Sequence, residues 1–555
     1  MMKKSQWIIA ALLILELPAF ASQSLSQMRA VNQAVDRITA REAENLKALQ
    51  NYAPMVETYI QTFSLDKDMG QVPNGDRYFL GRASFKGHIQ DSDFLGNESE
   101  SLTHKTLLQL DEFALKRHIG WVSLGFAQMA VIDAKGFDHQ HYNFVFQRRE
   151  FLGEVRTLVF DVMPKPHAGY GRFLGRIWVE DQGYNIVRFN GTYIRPRDHV
   201  SYVHFDSWRV NVAPGRWLPA YIYGEEPAIK VNGHTAGFRS QTRLWGYSAS
   251  GRTQNEFTEV VVDSKDLVND QTGRAGLSPV ASERNWERQA EDNELDRLEQ
   301  VGILAPPSDI DKILETVVNN ILVTNDLDIE VRCRVLLTAP IESFTVGHTI
   351  VLSRGLIDVL PDEASLAAVL AHELSHILLG HGVDTRFGFA DRLLFPDNQT
   401  LEHLAMLRTP DEEAAADKRS IELIAKSPYA GKLDGTGLFM KQLAEMHSVL
   451  PNLIRGRMGN SMVDDKAMRL ASIVAEAPKL NKLDLKQVAA LPLGARVLID
   501  PWNNHIEMSK AKTVEILSPR EKMPFQIAPF SPYLFRVEKD SHTSAPSEAV
   551  SDGTK

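Results

Sequence analysis

Leu370-Ala-His372-Glu373-Leu-Ser-His376 sets two imidazoles four residues apart, with a carboxylate directly after the first. On a helix, such positions lie one turn apart on the same face, so both rings can offer a nitrogen to one divalent metal. Glu373 then stands close enough to take a proton from an activated water. The surroundings are apolar. Leu366, Val369, Leu370, Ile377 and Leu378 predict a buried helix, in which three ionisable side chains are costly unless they share a partner.

A third ligand has to come from elsewhere. His381 is tempting, but in the HExxHxxGxxH pattern the glycine and third histidine fall seven and ten residues after the first histidine. Gly380 and His381 fall at eight and nine, so the register argues against a three-histidine site and His381 reads as a helix-end cap. A carboxylate is better placed. Thr409-Pro-Asp-Glu412 is a capping box with proline at the first helical position, so a helix begins there. Glu413 and Asp417 share one face of it; Glu413 can complete a His2Glu set while Asp417 accepts a hydrogen bond from a ligand imidazole. Glu412 competes, but it has the capping role and lies five residues from Asp417. The plain alternative is a solvated acidic helix start, which Asp411 and Glu412 satisfy by themselves.

These residues need a scaffold and an address. The chain has 555 residues, 43% hydrophobic and 24% charged, enough for several domains. A formal net charge of -10 leaves no basic excess for phosphates, so no nucleic-acid partner is expected. Lys3 and Lys4, the apolar run from Trp7 to Leu15, Pro18 and Ala19-Phe-Ala21 predict a cleaved signal peptide over 1–21. No later stretch reaches the ~20 apolar residues of a membrane helix, so the expectation is an exported chain with no membrane span, periplasmic first and secreted as the alternative. Cys333, the only cysteine, permits no intramolecular disulfide and reads as a buried thiol in a strand.

Residues 22–55 predict a charged amphipathic helix, with Val31, Val35, Ile38, Leu46 and Leu49 on one stripe. Over 56–263 the period changes to short strands, among them Arg156–Phe160, Gly175–Val179, Ile186–Phe189, Trp217–Ile222 and Phe257–Val262, an antiparallel half-barrel or sandwich. Residues 264–307 read as a linker and a charged helix, 308–477 as the domain holding the site, 478–538 as an extended or β segment, and 539–555 as a disordered tail. Gly347-His348 predicts a hairpin whose second strand, Thr349–Ser353, precedes the His372 helix and is expected to be an edge for an extended substrate.

Ser353-Arg-Gly-Leu-Ile-Asp, Asp362-Glu-Ala-Ser-Leu-Ala-Ala-Val-Leu-Ala-His372-Glu373-Leu-Ser-His376 and Glu413-Ala-Ala-Ala-Asp417 together resemble the M48 family of zinc metallopeptidases, in its soluble exported branch. The resemblance implies one Zn2+ held by His372, His376 and Glu413, Glu373 as general base and acid, and Asp417 as support. One departure stands out: the family's His-Pro segment before an Arg-led helix is missing, and 457–469 reads Arg457-Met-Gly-Asn460 through Arg469. Asn460, Arg457 and Arg469 are therefore the candidate oxyanion stabilisers, with Arg455 also near. Phe160-Asp-Val-Met-Pro-Lys and Gly171 to Arg188 resemble the curved sheets of periplasmic lipoprotein-carrier proteins, which implies a face able to hold a lipid or an envelope protein.

The expected fold class is α+β: a mostly helical zincin-type metallopeptidase domain with a small sheet, preceded by an antiparallel β domain. The expected function is a zinc metalloendopeptidase acting on protein or peptide substrates, misfolded or unassembled envelope proteins first. The rival is a lipid- or unfolded-protein-binding chaperone module with a latent or structural zinc site.

Overall fold

The computed structural model describes residues 29–85, 90–93, 126–134, 136–194, 203–231, 234–248, 279–382, 406–464, 468–485, 487, 496–509, 517–518 and 524–537. The signal peptide, strand Phe257–Val262, most of the linker and the tail lie outside the described residues. Helix α1 covers 29–49. Ten strands follow: β1 (Met55–Asp66), β2 (Gly70–Ser84), β3 (Gln90–Asp93), β4 (Tyr142–Leu152), β5 (Val155–Pro164), β6 (Phe173–Glu180), β7 (Ile186–Tyr193), β8 (His204–Ala213), β9 (Arg216–Val231) and β10 (His234–Trp245). They form one antiparallel sheet in the order β3-β2-β1-β10-β9-β8-β7-β6-β5-β4. Strands adjacent in the sheet are consecutive in sequence except β1 and β10, which pair with Met55 opposite Trp245 and leave β3 and β4 at the two edges.

Both faces of this sheet are covered, and alternation along each strand separates them. Val56, Ile60, Phe160, Ile186 and Ile222 belong to a core closed by α1 and by the segment around Ala127–Ala130. Met55, Tyr59, Val159, Val187 and Tyr221 point the other way, into a core shared with the helical half of the chain. Between α1 and the sheet the space left is about 10 Å³, roughly one water probe.

The helical half begins with α2 (Pro279–Val301) and α3 (Asp309–Thr324), the latter entered through the Ser308–Asp311 capping box. Strands β11 (Arg332–Leu336), β12 (Ser343–Val346) and β13 (Thr349–Ser353) form a small sheet in the order β11-β13-β12. Helices α4 (Arg354–Val359), α5 (Glu363–Leu379), α6 (Pro410–Ala425), α7 (Asp434–Met446), α8 (Pro451–Ile454) and α9 (Ala471–Glu476) complete it. A hairpin of β14 (Val497–Ile499) and β15 (Ile506–Met508) and an extended strap over 524–537 finish the described chain. Among the described residues no helix is long and apolar enough to cross a membrane.

Buried polar contacts lock the two halves together. Arg354 Nη2 donates to Glu57 Oε2 at 2.7 Å and Nη1 to Asp358 Oδ2 at 3.0 Å, with all three side chains at most 3% exposed. Tyr78 donates to Glu57 Oε1 at 2.8 Å, as does the Ala339 amide. The next residue has to be glycine, because a Cβ on Gly355 would sit 1.7 Å from the Ala339 carbonyl. Asp76 of β2 accepts from the Asn452 and Leu453 amides at 3.1 and 2.8 Å. The strap is tied to β1 through Gln61, which donates to Phe525 O and accepts from the Ile527 amide. Truncating Arg354 leaves two buried carboxylates uncompensated, so Arg354→Leu is expected to lose about 3–5 kcal/mol of stability. Equilibrium urea unfolding of the whole chain measures it, and a midpoint equal to that of the wild type would show that the network is not what joins the halves.

Candidate active site

Helix α5 carries the two histidines. Asp362 caps its start, accepting from the Ser365 amide at 2.8 Å, and Gly380 ends it at φ 70°, a left-handed conformation that glycine adopts without strain. His372, Glu373 and His376 are each 1% exposed. Helix α6 begins at the Thr409–Glu412 capping box and lies against α5, bringing Glu413 to the histidines. Glu413 Oε2 is 3.2 Å from His372 Nε2 and its Oε1 is 3.6 Å from His376 Nε2. The two Nε2 atoms are 3.2 Å apart. One ligand atom from each residue falls within 4.8 Å of the others, a set that fits a divalent transition metal. Glu412 is spent on the cap, as its spacing suggested.

The far side of each ring is held. His372 Nδ1 lies 2.8 Å from Asp417 Oδ1, so the Nδ1–H donates and leaves the Nε2 lone pair facing the cluster. Asp417 Oδ2 in turn accepts from the Leu470 amide at 2.8 Å. His376 Nδ1 is 2.9 Å from His381 Nδ1. With His376 Nε2 in the cluster, its Nδ1 carries the hydrogen and His381 accepts it. His381 is thus a support for His376, a role the helix-end reading missed; its five-residue offset was the available signal.

Of the three candidate oxyanion groups, the structure brings only Arg469 to the site. Its Nη1 donates to Glu373 Oε1 at 2.8 Å, while Nε and Nη2 reach Glu413 at 2.9 and 3.2 Å. Leu470 directly after it sits at φ 57°, the turn that aims Arg469 inward. Asn460 is engaged with the backbone of Arg408, and Arg457 bonds Asn452 and lies over the Tyr78 ring. Arg455 is exposed. Ser343 was not singled out by any motif, yet its hydroxyl donates to Glu373 Oε1 at 2.7 Å.

The strand reading needs a correction. Thr349–Ser353, expected at the edge, is the middle strand, because it pairs with β11 in parallel as well as with β12. The outer strand is β12, and its start is bridged by Ser461 opposite Glu342. Glu342 accepts from the Arg457 and Met458 amides at 2.8 and 2.9 Å and so pins this covering segment. Gly347 and His348 do form the turn, with Gly347 at φ 56°. Cys333 is 1% exposed in β11, and burial pushes its thiol pKa up.

Electrostatics separates the three cluster residues. Burial alone would raise Glu413, but the hydrogen bond from His372 and the Arg469, His372 and His376 charges outweigh it and bring it to about 2. Burial takes His376 down to about 4. For His372, burial and Arg469 press downward, but Asp417, Glu413 and Glu373 prevail and raise it. His372 is therefore the cluster histidine from which a metal displaces a proton most readily at low pH. Calorimetry in buffers of different ionisation enthalpy is expected to show proton release on metal binding at low pH, falling as pH rises through the His372 pKa. Asp417→Asn should weaken metal affinity by ~10–100-fold, read by competition with a chromogenic chelator; unchanged affinity would remove Asp417 from the site.

No curated protein matches. Among solved structures, a domain described as an outer membrane lipoprotein-sorting protein from Vibrio parahaemolyticus is 12% identical, covering 39% of this chain and 94% of that one at a TM-score of 0.19. MucB in complex with MucA(peri) is 9% identical, with 38% and 93% covered and a TM-score of 0.13. MucB alone gives 9%, 37%, 92% and 0.12. The family model described as Peptidase family M48 matches residues 335–396, which include β13, α4 and the whole of α5. This region of the chain is similar to peptidase family M48.

Proposed function

We propose that the chain is an exported zinc-dependent metalloendopeptidase that cleaves misfolded or unassembled envelope proteins. The observation that carries the reading is the convergence of His372, His376 and Glu413 beside the Glu373 carboxylate. Zinc held by those three residues supplies Lewis-acid activation of the attacking water and of the scissile carbonyl. Glu373 takes the proton from that water and delivers it to the leaving amine. Arg469 and Ser343 orient the Glu373 carboxylate through one oxygen and leave the other for this traffic. Asp417 and His381 fix the imidazoles so that each presents Nε2. Enclosure of the three α5 residues, each 1% exposed, excludes bulk water and strengthens every charge contact.

Export rests on the leader-like stretch from Lys3 to Ala21, and an envelope substrate follows from that address. The same enclosure also supports a second reading, a binding module whose site is latent. Cleavage separates the two. Glu373→Gln is expected to retain stoichiometric zinc by elemental analysis and to lose at least ~10²-fold in hydrolysis of an unfolded polypeptide. A variant that cleaves as fast as the wild type would sink the peptidase reading. A wild-type chain that binds unfolded protein without cutting it would favour the binding module.

A further inference from the structure

We propose that Arg408 is a substrate-binding residue of this site, donating from guanidinium Nη1 to a backbone carbonyl oxygen of a peptide beside β12. The inference rests on the peptidase reading and adds a residue that reading does not use. Arg408 is 8% exposed and lies just before the cap of α6. Its backbone is gripped from both sides by Asn460, whose Oδ1 accepts from Arg408 N at 2.6 Å and whose Nδ2 donates to Arg408 O at 3.0 Å. Its Nη2 donates to Thr345 O at 3.2 Å and to Thr345 Oγ1 at 2.8 Å. Nη1 is buried and has no acceptor among the described residues. A rigidly held, buried cation with an unused donor is costly in a resting protein and useful once a ligand oxygen arrives.

The register of β12 says what that oxygen is. The two-residue turn Gly347-His348 makes Val346 and Thr349 a hydrogen-bonded pair, and Phe344 with Val351 the next. Thr345 therefore turns its backbone groups away from β13, toward the position an added strand would take. Its carbonyl would ordinarily receive an N–H from that strand, but Arg408 Nη2 already fills it. The outer side at this point thus offers a donor where a bare strand offers an acceptor. An extended peptide is complementary there through a C=O. Burial lowers the Arg408 pKa, and Glu373, Glu412 and Glu413 act on it in the opposite sense, so the guanidinium shares the field of the catalytic carboxylate. Arg469, Asn460 and Arg457 are all committed to other partners.

The experiment is a thioamide scan, since sulfur is a weak acceptor. A short labelled peptide that the full-length wild type cuts is made with one backbone carbonyl at a time replaced. KM and kcat are measured for wild type and Arg408→Lys, and affinity is measured on the zinc-loaded Glu373→Gln chain with and without the same change. The wild type should show one position where the thioamide weakens binding by ~10-fold or more. Arg408→Lys should raise KM by a similar factor, change kcat little, and abolish the penalty at that one position. Equal penalties in the two proteins, or a loss confined to kcat, would overturn the proposal and leave Arg408 an anchor for the start of α6. Should Arg408→Lys not fold, Thr345→Val, which removes one of the two Nη2 acceptors, must shrink the same penalty, and an undiminished penalty overturns it too. Hydrolysis that survives Glu373→Gln would instead fail the peptidase reading itself.

Discussion

Like charges cannot be gathered in a buried site without an opposing one, and Arg469 meets that constraint here. Glu373 and Glu413 act on both imidazoles and Asp417 bonds His372, and Arg469 bonds the first two carboxylates at once. Its own charge is held by those carboxylates against the cost of burial. The consequence is geometric as well as electrostatic. By contacting the proposed base and the carboxylate ligand together, Arg469 sets the distance between α5 and α6, and Leu470 extends the same control to Asp417. Three helical elements are thus registered by one guanidinium.

The β half contributes indirectly. Asp76 caps α8, and the segment after α8 leads through Glu342-bound amides to Ser461 and on to Arg469. Arg354, the first residue of α4, is held by Glu57 of β1. The small sheet and the α5 helix therefore inherit their position from a sheet that contains none of the proposed catalytic residues. This explains why the polar groups of β1 are buried: Glu57, Thr58 and Gln61 bond Arg354, Thr242 and the strap.

That burial also explains what could and could not be read from residues alone. Helices α3, α5 and α6 were legible because their caps and apolar stripes are local signals, and Glu413 followed from a capping box. Strands β1 and β2 were not singled out, since Met55-Val-Glu-Thr-Tyr-Ile-Gln carries polar residues on both faces and shows no apolar alternation. The middle position of β13 depends on parallel pairing with β11, a long-range contact that no spacing announces. Asn460, Arg457 and Arg469 are equivalent by residue type and proximity. Only the left-handed turn at Leu470 and the competing partners of the other two distinguish them.

The pairing of β1 with β10, and of Gln61 with the strap at Phe525 and Ile527, joins the start of the described chain to its end. Contacts of such sequence separation demand large loop-closure entropy and make folding slow. They also set an order of events. Glu57 reaches Arg354 across 297 residues, and the strap, last in the described chain, closes onto the same strand through Gln61. A ribosome-bound chain that already holds the sheet and α5 still lacks the strap that ties onto β1, so the arrangement is complete only once residues 524–537 have followed.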